Sequence, residues 1–94
     1  MPRFLVERRF HVSQEPMPAV GRRSRQIMED QFPDQIVWEH SHVVVDERGG
    51  VTTFCVYGAP SEDVVREHAK ELGSHDIVAV HEIAGDVSPA DFPR

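Results

Sequence analysis

The segment IVWEHSHVVV, residues 36–45, places two histidines, His40 and His42, one residue apart in a stretch that is apolar enough for a β-strand. Successive side chains of a strand point to opposite faces, so we expect both imidazoles on one face, together with Trp38. Their Cα atoms would lie roughly 6.5–7 Å apart, which lets both rings reach a single ion. Packing or hydrogen bonding of the two rings is the alternative, because two histidines lack the four-ligand pattern of a zinc motif.

Two further side chains extend this possible ligand set. Imidazole nitrogen suits nickel, copper and zinc, and carboxylate oxygens can complete a nickel site. Glu7 in the first predicted strand and His81 in the last are therefore candidate ligands for nickel or a similar divalent transition metal. The strand order decides which of them lies near the histidines. The fourth strand lies either beside the second or at the opposite edge of the sheet. If the third strand lies between the first and the second, it separates Glu7 from the histidines, and Glu7 can reach them only across a dimer.

Aromatic and nucleophilic side chains suggest other chemistry. We expect Trp38 and Tyr57 on the sheet face that bears the two histidines, either as packing or as the wall of a site for an organic ligand. Cys55, the single cysteine, is either a small buried group or a nucleophile, and the sequence identifies no base beside it. His68 lies on the core-facing stripe of a predicted helix, where a hydrogen-bonded buried imidazole and a metal ligand are both open readings.

Length and composition exclude several classes of protein. Ninety-four residues make one domain, for which we expect residues 1–85, followed by a tail at residues 86–94. The formal net charge of −6 repels phosphate backbones and opposes nucleic-acid binding. No stretch approaches the apolar length of a signal peptide or membrane span, so we expect no membrane association. A single cysteine fits a reducing compartment, and we expect a cytoplasmic protein.

Hydrophobic periodicity predicts four strands and two helices. Ser61 and Gly73 are typical boundary residues of a helix, and the glycines of DERGG supply the turn of a hairpin. The strands are predicted at residues 3–10, 36–45, 51–57 and 77–83, and the helices at residues 18–30 and 62–72. This order is the ferredoxin-like βαββαβ pattern, an α+β fold with a four-stranded antiparallel sheet and both helices on one face.

The other face of this sheet would stay uncovered in a monomer. The alternation predicts that the helices cover Phe4, Val6, Val43, Val45, Phe54, Val56, Val78 and Val80. The open face would carry Leu5, Glu7, Ile36, Trp38, His40, His42, Cys55, Tyr57, Ala79 and His81. Such a mixed set is too apolar for a permanently wet surface, so we expect a second subunit or a ligand to cover it.

Four segments, LVERRF, WEHSHV, FCVYGAP and VREHA, together resemble a family of small bacterial domains of unknown function that includes a nickel-binding protein with a dimeric ferredoxin-like fold. The likeness covers roughly residues 2–85. It implies a homodimer joined through the sheets, as in dimeric α/β barrels, and a nickel-binding or nickel-responsive role. This sequence departs from the family pattern at His42, where tyrosine is more usual, and at Glu39, where an apolar residue is usual.

We therefore expect a non-catalytic homodimer that binds nickel through the four candidate ligands or responds to it. The sequence has no nucleophile elbow, no phosphate-binding glycine loop and no HExxH helix, which disfavours an enzyme. Two alternatives stay open. One is a small dimeric α/β-barrel enzyme, similar to monooxygenases or isomerases, that holds an organic ligand near Trp38 and Tyr57. The other is an interaction module without any ligand.

Overall fold

A computed structural model describes all 94 residues of the chain. Four strands and two helices follow one another in the predicted order, to within about two residues at each end. They are β1 (Arg3–Phe10), α1 (Met17–Gln31), β2 (Val37–Val45), β3 (Val51–Gly58), α2 (Glu62–Leu72) and β4 (His75–Glu82), with a short 3-10 helix at Pro89–Asp91. No helix of the chain is both long and apolar enough to cross a bilayer.

The four strands form one antiparallel sheet in the order β2-β3-β1-β4. The central strands are β3 and β1, and the edges are β2 and β4. Because β4 pairs with β1, the possibility that it lies beside β2 is wrong. The architecture is α+β and consistent with a ferredoxin-like fold.

Both helices pack on the same face of the sheet. Met28 of α1 and Val65 of α2 belong to one buried cluster with Phe4 and Val6 of β1. The second helix keeps its predicted boundaries, since Ser61 is its extended N-cap residue and Gly73 ends it at φ 67°. Its predicted core-facing stripe is confirmed by the burial of Val65, His68, Ala69 and Leu72.

The side chains of β3 face the opposite way from the prediction. Phe4 pairs with Tyr57 and Val6 pairs with Cys55, and all four lie in the core under the helices. The expectation that Cys55 and Tyr57 lie on the open face is therefore wrong, and it is their neighbour Phe54 that points there. Hydrophobic alternation does not select the phase here, because each phase of β3 carries apolar residues and one threonine.

A β-bulge in β2 separates Trp38 from the two histidines. Trp38 pairs with Tyr57, but the next aligned residue, His40, pairs with Val56, so Glu39 is an extra residue in the strand. One extra residue shifts the alternation by one position. Trp38 therefore faces the helices, whereas both histidines lie on the open face. The prediction that the indole and the imidazoles share a face is wrong.

A second bulge lies in β4, at Val78. Val78 is 56% exposed instead of buried under the helices, while its neighbours Ile77 and Val80 pack against the core. Ile36, just before β2, also packs against the core and does not belong to the open face.

Candidate functional site

His40 and His42 are neighbours on the open face of the sheet. Both residues are exposed, and their ring centroids lie 5.3 Å apart with an interplanar angle of 82°. They are held on β2 by pairing with Val56 and Phe54 of β3. The two imidazoles thus lie side by side on one face of the strand, as its spacing predicts.

Glu7 and His81 lie on the same face as the histidines but at a distance from them. The pairing register places one row of residues across the sheet in the order His40, Val56, Leu5, His81, and the adjacent row in the order His42, Phe54, Glu7, Ala79. Three strand spacings, roughly 14 Å, separate His40 from His81, and two separate His42 from Glu7. One chain alone brings no three His, Cys, Asp or Glu side chains together in a group that could hold an ion.

The carboxylate of the bulge residue Glu39 is already engaged. Arg3 donates from Nε to Glu39 Oε2 at 2.6 Å and from Nη2 to Oε1 at 3.0 Å, and it also donates to Asp86 of the tail. The hydrogen bonds from Arg3 hold the pKa of the Glu39 carboxyl below its ordinary value. Glu39 is therefore a paired anion beside the histidines, not a free ligand.

A cavity of about 470 Å³ lies on the other side of the sheet, beneath α1. Trp38 and Tyr57, the residues expected to bind an organic ligand, both line it, with ring centroids 6.5 Å apart. The Trp38 Nε1 donates to Ser41 Oγ at 2.9 Å, which fixes the indole. Burial raises the pKa of the Tyr57 phenol, so this hydroxyl stays protonated at neutral pH. The rest of the wall is largely apolar and includes Phe10, Met17, Val20 and Cys55.

Arg8 also lines this cavity and is only 2% exposed. Its guanidinium carbon lies 5.0 Å from the centroid of the Tyr57 ring, a cation–π arrangement. Its Nη2 contacts His68 Nδ1 at 3.4 Å, and its Nε is buried without a hydrogen-bond partner. No carboxylate forms an ion pair with it, because the five ion pairs of the chain involve other cations.

His68 of α2 contacts Arg8 as a neutral imidazole. Its Nε2 lies 3.3 Å from the Ser24 carbonyl oxygen and 3.2 Å from Ser24 Oγ. Because a carbonyl oxygen accepts only, Nε2 carries the proton, and Nδ1 is the acceptor that faces Arg8. Burial and the neighbouring Arg8 charge lower the pKa of His68 to about 4. This bears out a hydrogen-bonded core histidine, one of the two readings of the sequence.

Arg8 and Ser24 are the site residues that sequence reasoning missed. Ser24 is buried on the same side of α1 as Ile27 and Met28. Arg8 has the same parity along β1 as Phe4, Val6 and Phe10, so the predicted alternation already placed it among buried apolar groups. A charge at an apolar position was the signal that was available.

Comparison with known protein families identifies the chain. A family model described as "Nickel responsive protein SCO4226-like" matches residues 4–90, which include every strand and both helices apart from the first residue of β1. No significant match is found among curated proteins or solved structures. This chain therefore belongs to the family of SCO4226-like nickel responsive proteins.

Proposed function

We propose that the chain is a non-catalytic nickel-responsive protein whose homodimer binds nickel, or a similar divalent transition metal, at the open face of the sheet. The pair of neighbouring imidazoles, His40 and His42, carries the proposal, and the description of the family supports it. The single cysteine agrees with a cytoplasmic setting for this role.

The separation of the two rings suits a shared ion. A metal–nitrogen bond of roughly 2.0–2.1 Å places each ring centroid roughly 3.2 Å from the ion, so imidazoles at roughly 90–110° around it have centroids roughly 4.5–5.2 Å apart. The rings of His40 and His42 are 5.3 Å apart. Small side-chain rotations therefore bring both nitrogens into position. Two imidazoles leave a transition metal short of ligands, so further donors are required.

A second copy of the chain supplies those donors if the two open faces pack on each other. Face-to-face sheets lie roughly 10 Å apart with their strands nearly aligned. A two-fold axis parallel to the strands sets the partner's β4 against β2 at the same height. Because His40 and His81 occupy one row at opposite edges, His81 of the partner subunit then faces His40. Glu7 of the partner subunit faces Phe54, one strand away from His42.

The middle of the open face suits such a contact. Leu5 and Phe54 on the central strands are half-buried and flank Val56, which is only 7% exposed, and Val44 near the end of β2 is 47% exposed. Burying apolar area of this kind contributes about 25 cal/mol per Å². His40, His42 and His81 lie on the two edge strands, where the proposed dimer has its two metal sites, whereas Glu7 lies on the central strand β1.

Nickel titration calorimetry on protein without a histidine tag tests the proposal, with light scattering on the same samples. The wild-type chain is expected to take up nickel as a dimer of about twice 10.7 kDa. The variant His40→Ala/His42→Ala should lose this uptake, because its site retains no imidazole from β2. His11→Ala is the matched control, since His11 is an exposed histidine bonded to Asp76 and lies away from the proposed site.

Two results would contradict the proposal. Equal nickel affinity of the wild type and the double variant would place the metal elsewhere and leave packing as the role of the two rings. A mass near 10.7 kDa in the presence of nickel would remove the shared site.

A further inference from the structure

We propose that the cavity beneath α1 binds a small organic monocarboxylate, whose acidic group pairs with the Arg8 guanidinium and whose apolar body lies against Trp38 and Tyr57. The cavity and the two imidazoles of β2 lie on opposite sides of the sheet. The proposal therefore stands on different residues from the nickel site and survives or fails separately.

The buried charge of Arg8 is the first reason. A guanidinium stays protonated, and burying a charge without an anion costs several kcal/mol unless other contacts offset it. The Tyr57 ring and the single long contact to His68 offset part of this cost, yet Nε remains without a partner. A carboxylate matches the planar fork of guanidinium donors and would supply the missing negative charge. No acidic side chain of the chain pairs with Arg8, so the position of the anion is open to a ligand.

The wall of the cavity is the second reason. Its volume of about 470 Å³ falls in the range of small-molecule sites, which are mostly apolar with a few convergent polar groups. Trp38 and Tyr57 offer aromatic surface, and Val20 and Met17 of α1 offer aliphatic surface. An inorganic anion would leave this surface uncovered, whereas an aryl or alkyl body would cover it.

Other polar groups of the cavity agree with a ligand that carries a single charge. Glu15 is the acidic residue in the lining, and it is exposed. It disfavours a second carboxylate at its position. His68 contacts Arg8 from the helix side as a neutral acceptor, so it adds no positive charge that would call for a dianion.

Fluorescence of Trp38, the only tryptophan of the chain, reports directly on the cavity. The probes are 4-phenylbutyrate, its neutral amide 4-phenylbutyramide, and acetate. The wild-type chain is expected to bind 4-phenylbutyrate at least about tenfold more tightly than the amide, because only the acid forms a charge-assisted pair with Arg8. Acetate should bind at least about tenfold more weakly than 4-phenylbutyrate, because it lacks the apolar body.

Variants separate the charge from the cavity. Arg8→Gln should bind the acid and the amide equally, whereas Arg9→Gln, an exposed arginine on the open face, should keep the preference. Gly21→Leu fills the cavity from α1, where a Cβ atom would stand 3.9 Å from the Trp38 ring. It leaves Arg8 in place and should abolish binding of both probes. It therefore tests the proposed cavity even if circular dichroism shows that Arg8→Gln does not fold.

Several outcomes would overturn the proposal. They are equal binding of acid and amide by the wild type, no fluorescence response to either probe, acetate binding as tight as that of 4-phenylbutyrate, an unchanged preference in Arg8→Gln, and unchanged binding in Gly21→Leu.

Discussion

Trp38 and His40 stand two positions apart on one strand, yet their side chains lie on opposite faces of the sheet, because Glu39 forms a bulge between them. The bulge lets β2 contribute the indole to the cavity beneath α1 and two imidazoles to the open face. Arg3 of β1 reaches across β3 and holds the bulge residue Glu39 through two hydrogen bonds. One edge strand thereby contributes side chains to both proposed sites.

Two glycine substitutions should change stability in opposite directions. Gly73 ends α2 at φ 67° and ψ −170°, a region that is essentially restricted to glycine, so Gly73→Ala should lower the free energy of unfolding by about 1–3 kcal/mol. Gly21 lies inside α1 and has room for a Cβ atom, so Gly21→Ala should raise it by up to about 1 kcal/mol. Urea unfolding measures both. A stable Gly73→Ala chain would contradict the assigned end of the helix.

One substitution in α2 and one in β4 test which side chains are buried in the core. Leu72 is 3% exposed and packs with Ile27 and Phe32, so Leu72→Ala should cost about 2–4 kcal/mol through lost burial and a cavity. Val78 occupies the bulge of β4 and is exposed, so Val78→Ala should change the free energy of unfolding by less than about 0.5 kcal/mol. Thermal and urea unfolding give the comparison. Equal costs at the two positions would show that Val78 is buried after all.

The stability of the chain should fall in acid because of His68. Its pKa is lowered from 6.5 to about 4, mainly by burial and then by Arg8. As the pH falls, the unfolded chain therefore takes up a proton at this residue before the folded chain does. The resulting contribution to the free energy of unfolding, roughly 3 kcal/mol, is present at neutral pH and is lost as the pH falls from about 6.5 to 4.

Nuclear magnetic resonance of the imidazole C–H protons measures this directly, with the His68 signal assigned from its absence in His68→Gln. The expected titration midpoint is about 4. The unfolding free energy of His68→Gln should depend less on pH than that of the wild type between pH 7 and 4. A His68 midpoint near 6.5 would contradict the buried contact with Arg8.

The order and boundaries of the elements could be predicted because their signals are local. Ser61 and Gly73 bound α2 through their own backbone preferences, and the glycines after Asp46 form the hairpin turn, where Gly49 takes φ 82°. The phase of β3 was not predictable in this way. Phe54 and Cys55 are both acceptable in a core, and because Thr52 and Thr53 put one threonine on each phase of β3, neither phase marks the solvent.

The sequence predicts which site residues lie together only when they belong to the same strand. His40 and His42 are neighbours in sequence and in space, so their spacing was sufficient. The bulge at Glu39 has no glycine or proline to announce it, and it arises from the pairing of β2 with β3. The separation of the histidines from Glu7 and His81 follows from strand order, which depends on contacts between distant segments.

A metal site shared between two chains is tested most directly by the nickel content of a mixed dimer. One chain carries His40→Ala/His42→Ala and the other carries His81→Ala, each with a different affinity tag that contains no histidine. In the mixed dimer one site loses all three imidazoles, while the other combines intact His40 and His42 with an intact His81 from the other chain. The two parent homodimers should bind little nickel, and the purified mixed dimer should recover about half of the wild-type content. A mixed dimer with no more nickel than its parents, or a His81→Ala homodimer with the full wild-type content, would contradict a site built from both chains.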